Sequence, residues 1–545
     1  MLKSLSLFFF ITISSLVISQ SSAIYEQRLK NYDVLSYEFS IDLDKYSDTI
    51  HVEEIVHINI KTKNTKVILD LINDNGKGGM EVSSVEYMDG PHEFISPSSN
   101  WSHKNNILTL PYVPKIGSLM YKITYKGIPK DGLVISKNKF GCRTYFGDNW
   151  PTRARNWLAC VDHPLDKAKV LFNVYTDTVN QVIANGILTS VKMHGADKIK
   201  YSYATSYEIP TKVMVIGVAS FKVENVADVG NVSLSSWIYN CFSSEYDKKS
   251  FSDLKMSYEI LPYFINKFGD YPYKKLANVQ STTRFGGMEN ASSIFYDENM
   301  VGSGKMEALI AHEIAHQWFG NCVTEYDWDD VWLSEGFATY FTLMFREHAY
   351  GRDDFVQGLK EAKKRVFDFY ETDKDASIVH NNLKDMKDVL TYSLQYQKGA
   401  WVLHMLRNYV GEDNFRNGIR NYYNKYYNSN TTTEEFKLEM ENASGKDLDK
   451  FFDQWLYKGG IIKLDISWSY NERLKQIEIK LDQVQDDGYL FEMPVELQLI
   501  YDNKSRIEKI FMDKKSKKYV ISSDYNPKEI KLDPHIKLLA KWNIN

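Results

Sequence analysis

The spacing of apolar residues changes twice along this chain, and those two changes constrain its architecture more than any other feature. From about Ile24 to about Val223 apolar and polar residues alternate, as in Tyr37-Glu-Phe-Ser-Ile-Asp-Leu43, Val52 to Ile60 and Val67 to Leu71. This is the period-two signature of strands with one buried face. After about Phe251 the spacing becomes helical, in Met306, Leu309, Ile310, Ile314 and Trp318, in Phe337 to Phe345 and in Val389 to Leu406. A break at Gly459-Gly460 precedes renewed alternation in Leu464 to Tyr470, Ile477 to Leu481 and Val495 to Leu499. The pattern predicts a multidomain α+β chain: an all-β N-terminal domain over 24–223, a mainly α domain over 224–458 and a small C-terminal β-sandwich over 459–545. With 43% hydrophobic and 25% charged residues, each part can bury a core.

Residues 1–23 read as a secretory signal peptide. Lys3 precedes an apolar run from Leu5 to Ile18 that is short for a bilayer span, and small residues with Ser21 and Ala23 at the cleavage positions follow. Cleavage near Ala23 or Gln20 leaves an exported chain, periplasmic or secreted, with no stable membrane insertion expected. A net charge of −5 gives no basic footprint for nucleic acid, so no nucleic-acid partner is expected. Four cysteines, Cys142, Cys160, Cys241 and Cys322, are too few for a disulfide framework. Cys142 and Cys160 are near enough in sequence to pair, and buried free thiols are an equal reading.

The sharpest chemical signal is His312-Glu313-Ile314-Ala315-His316, in a helix expected from about Gly304 to Phe319 and ended by Gly320-Asn321. Histidines four apart share one helical face and can both ligate one Zn²⁺, with Glu313 one step around, near an activated water. A catalytic zinc site needs a third protein ligand. Glu335, 19 positions after His316 and near the start of a second amphipathic helix, is the candidate. Upstream, Gly286-Gly287-Met288-Glu289-Asn290 follows a strand-like run. Paired glycines let an extended peptide approach as an added edge strand. Glu289 offers a carboxylate at one end of such a cleft, where it would attract a free α-amine.

These motifs, in this order and spacing, resemble the M1 family of zinc aminopeptidases, the gluzincins that include aminopeptidase N and leukotriene A4 hydrolase. Glu335 lies within Trp332-Leu-Ser-Glu-Gly-Phe-Ala338, and Arg153 to Asp162 and Phe451 to Tyr457 are similar to further family segments. The resemblance implies a saddle-like N-terminal β domain and a thermolysin-like catalytic domain. It implies that His312, His316 and Glu335 hold one zinc ion per chain and that Glu313 is the general base, passing a proton from the attacking water to the leaving amine. Glu289 would bind the substrate α-ammonium, and Gly286, Gly287 and Met288 would line the substrate backbone. Tyr396, in Tyr396-Gln-Lys-Gly399, resembles the family's oxyanion-stabilising tyrosine, with Tyr392 one turn earlier as the rival. The implied activity is hydrolysis of N-terminal residues from peptides with a free N-terminus. The alternatives are an inactive M1-like peptide-binding module and an epoxide hydrolase of the leukotriene A4 hydrolase kind.

The chain departs from the family pattern in places. Phe146-Gly-Asp-Asn-Trp150 stands where relatives carry a glutamine that helps hold the substrate's amino end. Many relatives also continue into a large helical C-terminal domain for which this sequence leaves no room. Asn-x-Ser/Thr sites occur at Asn100, Asn231, Asn290, Asn430, Asn442 and Asn503. A glycan on Asn290 would occupy the expected cleft, which favours a bacterial export route.

Overall fold

The computed structural model describes residues 22–545 apart from 89–93, 95–99, 241–242, 381–382, 384–388 and 487. The expected signal peptide lies outside the described residues except for its last two positions, and those open a helix, Ser22–Asn31, where the alternation predicts a strand. Tyr25 and Arg28, three apart, share one face of that helix. They close on the buried Asp70, the Tyr25 hydroxyl donating at 3.2 Å and the Arg28 guanidinium at 3.0 Å.

Beyond that helix the N-terminal part is β-rich. A long sheet orders its strands Ile187–His194, Lys198–Ala204, Lys167–Asp177, Tyr32–Leu43, Ile50–Ile60, Gly117–Ile128 and Gly79–Met88. Tyr32–Leu43 buries alternate residues, with a bulge between Val34 and Ser36 that shifts the register by one. A second sheet of four strands carries Arg143–Gly147 and leads into the loop at Trp150. Cys142 is an exposed and Cys160 a buried free thiol, so the pairing open to them by spacing is not made.

The middle of the chain begins earlier than periodicity indicates. The boundary expected at 223/224 falls inside strand Phe221–Val229, which pairs with Val232–Tyr239 and, through it, with Lys275–Ser281 and Ser293–Asp297 in a five-stranded sheet. Residues 221–239 therefore belong with the helical half. Periodicity missed this because both sides of the boundary are strands. Gly287–Met288 is the edge strand of that sheet, antiparallel to Phe295 and Tyr296. The helices that follow are α1 (Glu307–His316), α2 (Trp332–Tyr350), α3 (Arg352–Tyr370) and α4 (Gly399–Val410), the last preceded by a π-helical segment, Tyr392–Lys398. α1 is shorter than the expected 304–319. After His316 the backbone widens, with Asn321 N bonded to His316 O and Val323 N to Trp318 O, and Gly320 takes a φ of 120° in the turn.

The C-terminal part forms two sheets. Four strands are ordered Ser516–Ser522, Gln476–Gln483, Ile462–Asn471, Ala540–Ile544, and three are ordered Ser505–Met512, Met493–Ile500, Glu529–Leu532. Gln454 joins this part to the helical middle by a reciprocal pair of bonds with the backbone of Glu492, at 3.0 and 2.9 Å. The N-terminal part is tied in similarly: Lys167 Nζ donates to the carbonyls of Cys322 and Ser429 at 2.7 and 2.9 Å, just beyond α1 and far along the chain. No described helix is long and apolar enough to cross a membrane.

Candidate active site

The helical period puts His312 and His316 on one face of α1, and the two imidazoles meet with Nε2 atoms 3.1 Å apart. α2 runs antiparallel to α1, fixed at the far end by the Tyr350 hydroxyl donating to Glu307 at 2.7 Å. This brings Glu335 Oε2 to 3.4 Å from His312 Nε2 and 3.2 Å from His316 Nε2. Glu313 projects beside this trio and is also buried.

The surroundings of the trio explain several neighbouring residues. His316 Nδ1 lies 3.0 Å from the Ser334 hydroxyl and 3.2 Å from the Phe319 carbonyl, acceptors that leave Nε2 free toward Glu335. Gly320 makes this possible, because a methyl group there would collide with the Ser334 hydroxyl. On the other side, Gln317 and Asn321 follow the end of α1, and their side-chain amides donate to the Glu289 backbone carbonyl at 2.8 and 2.6 Å. The carbonyl oxygen of Gln317 accepts from the Ser292 backbone at 2.9 Å. The segment carrying Glu289 is thus held by side chains that immediately follow the histidine motif. Gly287 lies directly over Glu313, and any β-carbon would strike that carboxylate.

Tyr396 lies in the π-helical segment, its ring stacked on that of His312 at 5.9 Å between centroids. Tyr392, the rival, is 54% exposed and packs on the outer side of Tyr396 at 5.0 Å. Backbone brings this segment in. A methyl group on Gly336, the residue after Glu335, would stand 3.1 Å from the backbone of Gly399, so α2 and the start of α4 meet without side chains between them. These residues surround a cavity of about 580 Å³ that also exposes Gly286, Met288, Phe285, Thr339 and Leu343. The N-terminal part contributes Trp150 to the lining, and its ring also packs on Trp328 at 5.7 Å between centroids. Asn290 is fully buried, so its sequon is inaccessible in the fold.

The cavity concentrates negative charge. Glu289, Glu313 and Glu335 are all buried; Glu335 Oε2 faces the two histidines, and Glu289 Oε1 has no hydrogen-bond partner among the described residues. Burial, opposed by His316 and reinforced by the other two carboxylates, pushes the Glu313 carboxyl well above its ordinary range. Burial likewise raises Glu289 and keeps the Tyr396 hydroxyl protonated. Burial works against charge on His316, but Glu335, Glu289 and Glu313 outweigh it and raise its pKa to about 9. Buried carboxylates at this density call for a cation. Ligands of a tetrahedral zinc bound at about 2.0–2.1 Å lie about 3.3–3.4 Å apart. The three atoms of the His312, His316 and Glu335 cluster are spaced at 3.1–3.4 Å, so the residues fit a zinc ion. Ser334→Ala is expected to weaken zinc binding about tenfold, read by competition with a chromophoric chelator, because His316 then loses one of its two Nδ1 acceptors.

Residues 252–455 match the profile of the peptidase family M1 domain, a span that holds the Glu289 strand, α1, α2 and Tyr396. This segment is similar to the catalytic domain of peptidase family M1. M1 is a zinc metallopeptidase family, in keeping with the ligand cluster. The chain is 30% identical to probable aminopeptidase 2 of Sulfurisphaera tokodaii over 56% of its own length and 40% of the relative's. It is 24% identical to leucyl aminopeptidase of Saccharolobus solfataricus over 93% and 66%, and 25% identical to tricorn protease-interacting factor F2 of Thermoplasma acidophilum over 84% and 57%. The chain therefore spans between two fifths and two thirds of the length of these relatives.

Proposed function

We propose that this chain is a zinc-dependent aminopeptidase that hydrolyses the N-terminal residue from peptides. The observation that carries the reading is a free edge strand, Gly287–Met288, leading directly to a buried carboxylate, Glu289, beside the His312, His316 and Glu335 cluster. An extended peptide added to that edge reaches Glu289 with its first residue, and its α-ammonium neutralises the carboxylate. A chain that continued past this point would meet buried protein. This distinguishes an exopeptidase from an endopeptidase.

Zinc, when bound by His312, His316 and Glu335, supplies Lewis acidity toward water and the scissile carbonyl. Glu313 takes the proton of the attacking water and delivers it to the leaving amine, a task suited to a carboxylate whose basicity burial has raised. Tyr396 donates its hydroxyl proton toward the carbonyl oxygen as negative charge develops there, and its raised pKa keeps that proton in place. Trp150, Phe285 and Met288 give the cavity near Glu289 an apolar wall, which supports a preference for apolar first residues. The strand-rich and helical parts support the saddle-like and thermolysin-like readings of the first two domains and the sandwich reading of the third. The apolar N-terminal run supports an exported enzyme.

Purified protein is expected to cleave aminoacyl amides and free peptides, to leave N-acetylated peptides intact and to lose activity on chelation. Comparable rates on blocked and free peptides would defeat the exopeptidase reading. Glu289→Ala is expected to lower kcat/KM for free peptides by about 10²-fold, the loss of a buried charge-assisted contact, and so to erode the preference over blocked ones. An unchanged ratio would remove Glu289 from its role.

A further inference from the structure

The groove does not end at the metal ligands. α1 and α2 lie antiparallel as its floor, and each side brings a cation into the lining 11 positions from the metal end: Lys305, two residues ahead of the start of α1, and Arg346, on α2 beyond Glu335. Along α2 eleven residues span about 16 Å, the length of about five extended residues. α3 forms a side wall and contributes Arg365, whose guanidinium lies over the Tyr392 ring at 5.6 Å. Arg346 is paired with Asp354 at 2.7 Å. Lys305 and Arg365 are exposed and have no ion-pair partner among the described residues. Glu361 is the one carboxylate lining this outer stretch, and it accepts from Gln357 at 3.0 Å. The groove is therefore polarised, with three buried carboxylates at the metal end and unpaired cations along the outer rim.

We propose that Lys305 and Arg365 make this site selective for short peptides with a free α-carboxylate, of about four to six residues. This rests on the aminopeptidase reading. A peptide seated with its ammonium on Glu289 runs outward along the groove, so its opposite end enters the field of the two cations. At such separations attraction acts through solvent and is screened over about 8–10 Å at physiological ionic strength, so it favours acidic termini most at low salt. A long polypeptide has no carboxylate at this distance and gains nothing from the rim unless an acidic side chain falls there.

The test compares pentapeptides that differ only in a C-terminal carboxylate or carboxamide, at 20 and 300 mM salt. Turnover is followed with the zinc-loaded enzyme, and binding by calorimetry with the Glu313→Gln protein. We expect the free acid to be favoured about five- to tenfold at low salt in both measurements, and the preference to shrink at high salt. Lys305→Glu/Arg365→Glu should reverse it, since both side chains are at the surface and replaceable without repacking. Equal affinity for acid and amide at low salt, or a preference untouched by the double reversal, would overturn the proposal. Binding selectivity without hydrolysis of either peptide would support the rim and defeat the aminopeptidase reading. Hydrolysis without selectivity would do the opposite.

Discussion

Glu313→Gln is expected to lower kcat by about 10²–10⁴-fold, the range that a positioned general base contributes, while zinc content and melting behaviour stay close to those of the parent. The substitution keeps the shape of the side chain under Gly287, where there is no room for anything larger. It removes one of three buried carboxylates, so the cost of housing negative charge falls and stability is preserved. What is lost is the acceptor for the water proton. KM should change little, because Glu289 and the Gly287–Met288 edge remain. Steady-state kinetics with metal analysis check this. A residual kcat within a few-fold of the parent would assign the base to another group.

The second large effect concerns stability. Lys212, in a turn of the N-terminal part, pairs with Glu325, in the connection between α1 and α2, and the two side chains are 1% and 0% exposed. The Lys212 ammonium also lies 5.7 Å from the Trp328 ring centre. Removing one partner of a buried ion pair leaves a charge without compensation and costs about 3–5 kcal/mol. Lys212→Met is therefore expected to move the first thermal and urea transitions sharply downward. Lys212→Met with Glu325→Leu should recover most of the loss, because two apolar groups of similar size replace the pair. A single variant with an unshifted transition would show that the pair is hydrated.

The ligand helix was legible because its chemistry follows from a local period: histidines four apart on a helix must face the same way, and an activated water needs an acid beside them. Glu335 was legible through its place in Trp332 to Ala338 and its distance from His316. Tyr396 is favoured over Tyr392 by the Lys-Gly that follows it, and the fold packs Tyr396 on His312 while leaving Tyr392 half exposed. The supporting contacts were not legible. Lys212 and Glu325 are 113 positions apart, and nothing local in either segment announces a buried partner. Gln317 and Asn321 read as ordinary polar residues closing a helix, yet they hold the strand that bears Glu289. Gly336 offered a usable signal: a glycine inside a helix costs about 1 kcal/mol relative to alanine and asks for a reason, here the close approach of Gly399. The strand expected at Ile24 was a helix, because Tyr25 and Arg28 satisfy Asp70 from one face and the alternation test sees only apolarity.

The bonds from Gln317 and Asn321 to the Glu289 carbonyl join two events that are usually described separately. Gln317 and Asn321 follow directly on the helix that carries His312 and His316, and they hold the backbone of Glu289, the residue proposed to meet the amine. If zinc and peptide bind as proposed, whatever factor zinc adds to the affinity for a free N-terminus, a bound N-terminus must return to the affinity for zinc. On the proposed function, the resistance of the metal to a chelator with and without a bound free N-terminus measures the sign and size of that coupling.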